Sequence, residues 1–283
     1  MPAEDKKEGQ MPGTMDALLA ILDKLPPLAV AFSGGLDSRF LCAACLAAGH
    51  DVWAVHIAGP HIPASETAGA AAFAGAMNLR YVQLPMDPLV IPEVAGNDAL
   101  RCYYCKKHLM QGIKGFLASM SDGERLLCDG SNEDDQAKYR PGLKALQEEK
   151  VLSPLAMAHL TKAEITSLAK SMGFPLPKEK ARPCLLTRYD YGLMADHDEL
   201  LRLGAAEEAL FALRDASGKR LFPDFRLRLT PEPVLQVLSW KEDWREQVAE
   251  TLARHGFPTF SVLKTQAISG YFDQKRKQAS SLQ

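Results

Sequence analysis

Ala29-Val30-Ala31-Phe32-Ser33-Gly34-Gly35-Leu36-Asp37-Ser38 is the stretch whose reading decides the fold. An apolar run with strand character meets Ser-Gly-Gly-x-Asp-Ser, and an apolar helix then begins, Phe40 to Ala48. Two adjacent glycines, Gly34 and Gly35, allow a tight turn that points successive N–H groups at one anion. The helix adds the positive end of its dipole to the same place. Ser33 and Ser38 offer hydroxyls to phosphate oxygens. Asp37 would repel a bare phosphate; it makes sense as a ligand of a magnesium ion that bridges phosphates. The plainer alternative is a strand–turn–helix joint with an ordinary N-cap. No Gly-Lys-Ser/Thr follows, so a Walker loop and γ-phosphate transfer are disfavoured.

Outward from this loop, strand and helix patterns alternate from about residue 16 to about 155. Leu28–Ser33, Val52–Ile57, Tyr81–Leu84 and Arg125–Asp129 read as short buried strands, with helices at 36–48, 63–77 and 104–120 between them. The alternation predicts an α/β fold, a doubly wound parallel sheet with helices on both faces. Ligands of such sheets bind outside the carboxyl ends of the strands. The Ser33 loop, the segment after Ile57 and Asp129-Gly130-Ser131-Asn132 all fall on that edge, which makes Gly130 a candidate binding residue. Thr161 and Glu164 stand at capping-box spacing and start a helix that ends near Gly173. A helix at 193–214 follows, then strands at Phe225–Leu229, Val234–Ser239 and Phe260–Lys264, with a helix over Trp240–His255. The expected organisation is a tail (1–14), a nucleotide domain (15–192), a small α+β domain (193–273) and a second tail (274–283).

Composition bounds the function. Lysine plus arginine number 33 against 35 acidic residues, so no basic footprint for nucleic acid shows in the totals. No apolar stretch is long enough to span a bilayer, and Met1 to Gln10 has no signal-peptide core, which predicts a cytoplasmic protein. In a reducing compartment the six cysteines are expected as thiols or ligands.

Arg101-Cys102-Tyr103-Tyr104-Cys105-Lys106 is the second signal. Cys-x-x-Cys lets one metal centre take both sulfurs, and a third cysteine lies in Arg182-Pro183-Cys184. Three thiolates can hold three irons of a 4Fe-4S cluster and leave the fourth iron open to an exogenous ligand. Zinc with a water, or a redox Cys-x-x-Cys, are the rivals. Cys42 and Cys45 share the same spacing but lie among leucines and alanines, and Cys128 lies in a strand pattern; all three read as core residues.

The ordered set Ser33–Ser38, Arg101–Lys106, Asp129-Gly130-Ser131-Asn132-Glu133-Asp134-Asp135, Tyr139-Arg140-Pro141-Gly142, Ser153-Pro154-Leu155, Cys184-Leu185-Leu186-Thr187-Arg188 and Tyr191-Gly192 resembles the LarE-type sulfur transferases of the PP-loop ATP pyrophosphatases. The resemblance covers roughly residues 15–195. It implies ATP cleaved between the α and β phosphates, adenylation of a substrate carboxylate, and delivery of sulfur to a pyridinium mononucleotide, a precursor of the nickel-pincer cofactor. Within the family some members sacrifice the sulfur of one cysteine, at the position of Cys184; others bind a 4Fe-4S cluster through cysteines that match Cys102, Cys105 and Cys184. This chain has all three and resembles the cluster type, in which a hydrosulfide on the unique iron is delivered. The resemblance makes Lys106 a candidate for neutralising charge on the reacting phosphate, against a solvated surface lysine, and Arg188 a candidate for holding a phosphate or carboxylate, against a surface salt bridge.

Arg226-Leu227-Arg228 is similar to the family's strand with alternating arginines, whose period-two spacing puts both guanidiniums on one face for a substrate phosphate. The acidic residue of the next family strand is missing from Val234-Leu235-Gln236-Val237-Leu238, and another is missing near Lys264-Thr265; Glu207 matches a further family glutamate. The expected partners are ATP, Mg²⁺, a small-molecule carboxylate or nucleotide acceptor, a sulfur donor of unidentified source and further copies of the chain, with no nucleic acid and no membrane. The competing readings are a tRNA-thiolating enzyme, an amidotransferase-like ligase that would not need the three cysteines, a non-catalytic sulfur carrier, and an ATP-independent desulfidase.

Overall fold

The computed structural model describes residues 14–136, 141–174, 182–230 and 232–272. The tails expected at the two ends, Thr14 excepted, and Tyr139-Arg140 lie outside the described residues. The chain divides into two compact units that interleave in sequence. The first comprises residues up to Ile57, Ala68–Met86 and Lys106–Ala181; the second comprises Ala58–Thr67, Asp87–Cys105 and Arg182 onward.

In chain order the first part holds α1 (Met15–Leu22), β1 (Leu28–Ala31), α2 (Leu36–Ala47), β2 (Val52–Ala58), α3 (Ala64–Ala76), β3 (Arg80–Pro85), the single turn α4 (Pro92–Ala95), α5 (Arg101–Ser119) and β4 (Leu126–Cys128). There follow α6 (Glu133–Gln136), α7 (Pro141–Glu148), α8 (Pro154–Met157), α9 (Lys162–Ser171), α10 (His197–Ala212), β5 (Phe225–Arg228), β6 (Val234–Val237), α11 (Arg245–Arg254) and β7 (Ser261–Lys264). The first unit is built on an all-parallel sheet in the order β3-β2-β1-β4, flanked by helices, as the alternating pattern predicts. The chain steps from β1 to β2 and β3 on one side, then returns to lay β4 against the other side of β1. The switch point therefore lies between β1 and β4, where ligands of such sheets bind. A small separate sheet in the second unit runs β5-β6-β7, antiparallel and then parallel.

Burial explains the strands. β1 and β2 are almost wholly apolar and buried, as central parallel strands must be. Leu28, Val30 and Phe32 pack with Phe40, Leu41, Leu155 and Ile165 in one core, which also takes Cys42, Cys45 and Cys128. Burial pushes all three thiols up, Cys45 to about 12, so these cysteines are inert packing groups. The strand expected as buried at Tyr81–Leu84 is instead an edge strand whose residues are exposed or half-buried.

Local caps move several helix boundaries. α5 starts at Arg101, three residues before the expected position, because the Asp98 carboxylate accepts the Leu100 N–H at 2.7 Å. That places Cys102 and Cys105 on the first turns of a helix. α10 starts at His197, not 193, because Asp196 accepts the Glu199 N–H at 2.9 Å. The Thr161–Glu164 capping box forms as expected. The helix expected over Trp240–His255 begins only at Arg245, after a short 3-10 turn; Trp240 stacks on Phe222 at 6.3 Å instead. No helix among the described residues is long and apolar enough to cross a membrane.

Candidate functional site

In the first unit the candidate residues gather at the switch point. Ser33 to Ser38 form the loop from β1 into α2. Gly34 has φ +76°, and a Cβ there would lie 2.9 Å from the Ala70 Cβ, so both conformation and space require glycine. Gly35 is the N-cap of α2 and gives no side-chain cap, which leaves the first N–H groups of the helix to other acceptors. The Ser33 and Ser38 hydroxyl oxygens lie 3.2 Å apart. The Gly35 N–H donates to Ser33 Oγ at 3.3 Å, and Ser38 Oγ–H donates to the Gly35 carbonyl at 3.1 Å. The loop thus gathers hydroxyls and N–H groups close together, the donor set for an oxyanion.

Asp37 stands in the first turn of α2. Both of its carboxylate oxygens accept from Lys162 Nζ, each at 2.7 Å. Lys162 is the first residue of α9, after the Thr161 cap, and is about half exposed. A cation at a helix N-terminus is opposed by the dipole. That misplaced charge was the signal that could have marked Lys162 in the sequence as more than part of a capping box.

β4 brings the second half of the loop cluster. A Cβ on Gly130 would lie 2.9 Å from the Ser38 backbone nitrogen, so the absence of a side chain lets the two loops meet. Asp129 is buried and accepts from the Ser131 N–H at 3.1 Å, from Ser131 Oγ at 2.7 Å and from Ser153 Oγ at 2.7 Å. Lys106 Nζ lies 3.5 Å from the same carboxylate. Asn132 is buried, and its Oδ1 has no hydrogen-bond partner among the described residues. A buried acceptor of this kind costs free energy until a donor meets it.

In the second unit lie the three cysteines. Cys102 is exposed and Cys105 and Cys184 are half-buried; none is in a disulfide. Cys105 and Cys184 both border one apolar cluster with Leu185, Leu186 and Tyr189. Burial pushes the Cys184 thiol up; a backbone N–H at Leu186 opposes this, Cys102 adds to it, and Arg101 and Arg188 favour the thiolate. Among the described residues no three His, Cys, Asp or Glu side chains are gathered tightly enough to ligate a single metal ion.

The loop bearing Cys184 is anchored by Arg188, which is fully buried. Its Nε and Nη2 donate to the two Glu207 oxygens at 3.0 and 2.7 Å, and its Nη1 donates to the Pro183 carbonyl at 2.9 Å and Thr187 Oγ1 at 2.9 Å. Arg182 and the Leu227 N–H also donate to Glu207, at 2.5 and 2.9 Å. Burial alone would raise the Glu207 carboxyl; Arg188 and Arg182 more than offset it and hold the group ionised. Arg188 therefore faces the protein and positions the cysteine loop. Arg228 is also buried: it donates to Gln236 Oε1, the Thr187 carbonyl and the Ile268 carbonyl at 2.7–2.8 Å. Burial, then Arg188 and Arg226, lower the Arg228 pKa to about 10, against a smaller opposing effect of Glu207. Arg226 pairs with Asp224 at 2.6 Å. The structure thus brings Ser33, Gly34, Gly35, Asp37, Ser38, Gly130 and Lys106 into the first unit, and Cys102, Cys105, Cys184, Arg188, Arg226 and Arg228 into the second.

No family model matches this chain. It is similar to an uncharacterized protein of Synechocystis, 28% identical over 79% of this chain and 84% of the relative. It is likewise similar to a pyridinium-3,5-bisthiocarboxylic acid mononucleotide synthase of Lactiplantibacillus plantarum, 29% identical over 75% of this chain and 74% of the relative. An uncharacterized protein of Methanocaldococcus jannaschii is 28% identical over 64% of this chain and 68% of its own length.

Proposed function

We propose that this chain is a LarE-type, ATP-dependent sulfur transferase of nickel-pincer cofactor biosynthesis, acting on the carboxylate of a small pyridinium mononucleotide. The observation that carries the reading is the donor-lined, uncapped N-terminus of α2 at the β1/β4 switch point, in a chain 29% identical to a bisthiocarboxylic acid mononucleotide synthase. The N–H groups and hydroxyls of Ser33–Ser38 receive ATP phosphates. Asp37 would hold magnesium once Lys162 lets go of it, and the freed ammonium then faces the departing pyrophosphate. A substrate carboxylate oxygen bonds to the α-phosphorus as the bond to the pyrophosphate oxygen breaks. Lys106, near Asp129, lends positive charge to that step. A sulfide then bonds to the activated carbonyl carbon, the acyl C–O bond to AMP breaks, and AMP leaves with that bond's electron pair. Arg226 and Arg228 supply positive potential for the phosphate of the mononucleotide.

Cys102, Cys105 and Cys184 fit a cluster better than a single ion. They belong to one unit and none is in a disulfide. Cys102 is near enough to raise the Cys184 thiol, yet among the described residues no three ligands converge on one ion. The 4Fe-4S cluster they would hold supplies sulfide on an iron without a protein ligand. Iron and acid-labile sulfide are measured on protein purified without oxygen. About four irons per chain and a broad band near 400 nm, the expected signature of cysteine-ligated clusters, support the cluster reading. No iron after anaerobic reconstitution overturns it in favour of Cys184 as a sacrificial sulfur source. Pyrophosphate release that depends on a carboxylate substrate tests the other half of the reaction.

A further inference from the structure

Arg39 directly follows Ser38 and belongs to no part of the loop's donor set, yet its side chain reaches back to the loop backbone at Gly34. Its Nε donates to the Gly34 carbonyl at 2.5 Å, and its Nη2 donates to the Gly69 carbonyl in α3 at 3.1 Å. The guanidinium carbon also lies 4.8 Å from the centre of the Phe73 ring. One planar cation thus ties the loop to two successive turns of α3, in a way that a single ammonium cannot reproduce.

The consequence follows from peptide geometry. The Gly34 carbonyl and the Gly35 N–H belong to one planar trans peptide and point in opposite directions. Holding the carbonyl on Arg39 therefore turns the Gly35 N–H away from Arg39, toward the Ser33 hydroxyl. Gly34, at φ +76°, and Gly35 are the residues least able to resist rotation of that peptide plane. A flip would replace an N–H donor with a carbonyl oxygen where an anion must bind. We infer that Arg39 is a positioning residue that locks the Gly34–Gly35 peptide with its N–H facing the nucleotide phosphates. The inference rests on the nucleotide reading given above and adds a determinant of it outside the Ser-Gly-Gly-x-Asp-Ser segment.

Equilibrium binding of α,β-methylene-ATP with magnesium tests this without a carboxylate acceptor or a cluster. Wild type, Arg39→Lys and Arg39→Ala are compared by calorimetry, each with and without low-millimolar guanidinium chloride, and with melting curves as a check on folding. Arg39→Ala is expected to bind at least about tenfold more weakly, the usual scale for losing a charge-assisted hydrogen bond. Guanidinium is expected to restore part of that affinity in Arg39→Ala and none in wild type, and Arg39→Lys is expected to resemble Arg39→Ala. Nucleotide binding by Arg39→Ala within twofold of wild type overturns the inference alone. So does a loss that guanidinium leaves unchanged and that tracks a fall in the melting temperature, since that marks a purely structural role. A wild-type chain that binds no nucleotide overturns the proposed function, and this inference with it.

Discussion

Asp37 and Lys162 form an ion pair whose exposure decides what it is for. The two side chains are 22% and 47% exposed, and pairs of that kind contribute about 0–1 kcal/mol to stability. Lys162→Met is therefore expected to move the melting temperature little, while pyrophosphate release falls by about a hundredfold if the ammonium faces the reacting phosphates. A stopped-flow or coupled assay of pyrophosphate checks this; unchanged turnover would leave Lys162 as a mere partner of Asp37. Asp37→Ala is expected to abolish pyrophosphate release and to leave any bound iron untouched, because the cysteines lie in the other unit. At this scale the sequence was legible where a residue's chemistry conflicted with its bland explanation, as for Asp37 in an anion loop. It was illegible where the partner came from far along the chain. Lys162 stands 125 positions from Asp37, and Asn132, whose buried Oδ1 has no partner among the described residues, carried no mark beyond its motif.

Elements explain why the loops can meet at all. β1 and β4 are neighbours, so the loops that leave their carboxyl ends are forced together, and Gly130 lets their backbones approach. Gly130→Ala would push a methyl group to 2.9 Å from the Ser38 nitrogen. The expected cost is about 1–3 kcal/mol of overpacking, together with weaker nucleotide binding as the first turn of α2 shifts; both are read from melting and binding curves. Three strands of the parallel sheet, β1, β2 and β4, were readable because buried parallel strands are short and almost uniformly apolar, whereas β3 turned out to be a half-exposed edge strand. The starts of α5 and α10 were not readable: Asp98 and Asp196 each cap through one side-chain bond that no periodicity reports. The three-residue shift at α5 matters most, because it moves Cys102 from the expected loop onto the same helix as Cys105.

At the scale of the molecule, charge is nearly balanced overall yet uneven within the second unit. Glu207 pairs with Arg182 and Arg188, and Asp224 with Arg226, while Arg228 is bonded to uncharged acceptors. Glu207 is fully buried between two of these arginines, and removing one member of such an arrangement leaves charge buried without compensation. Glu207→Gln is expected to destabilise the protein by about 3–5 kcal/mol. The pH dependence has a definite sign. Glu207 is held below its ordinary value in the folded state, so its contribution is present above the ordinary carboxyl range, near 4.5, and is lost as pH falls through the folded value. Wild type should lose stability on acidification below about pH 4.5, while Glu207→Gln, already lacking the charge, should show a flatter acid limb. Because Arg188 spans Glu207 and the carbonyls of Pro183 and Cys184, the same variant should loosen the Cys184 loop. Its iron content after anaerobic reconstitution is therefore expected to fall toward that of Cys184→Ala, while nucleotide binding by the Ser33–Ser38 loop persists. Full iron loading in both variants would separate Cys184 from the cluster and return it to the role of a lone sulfur donor.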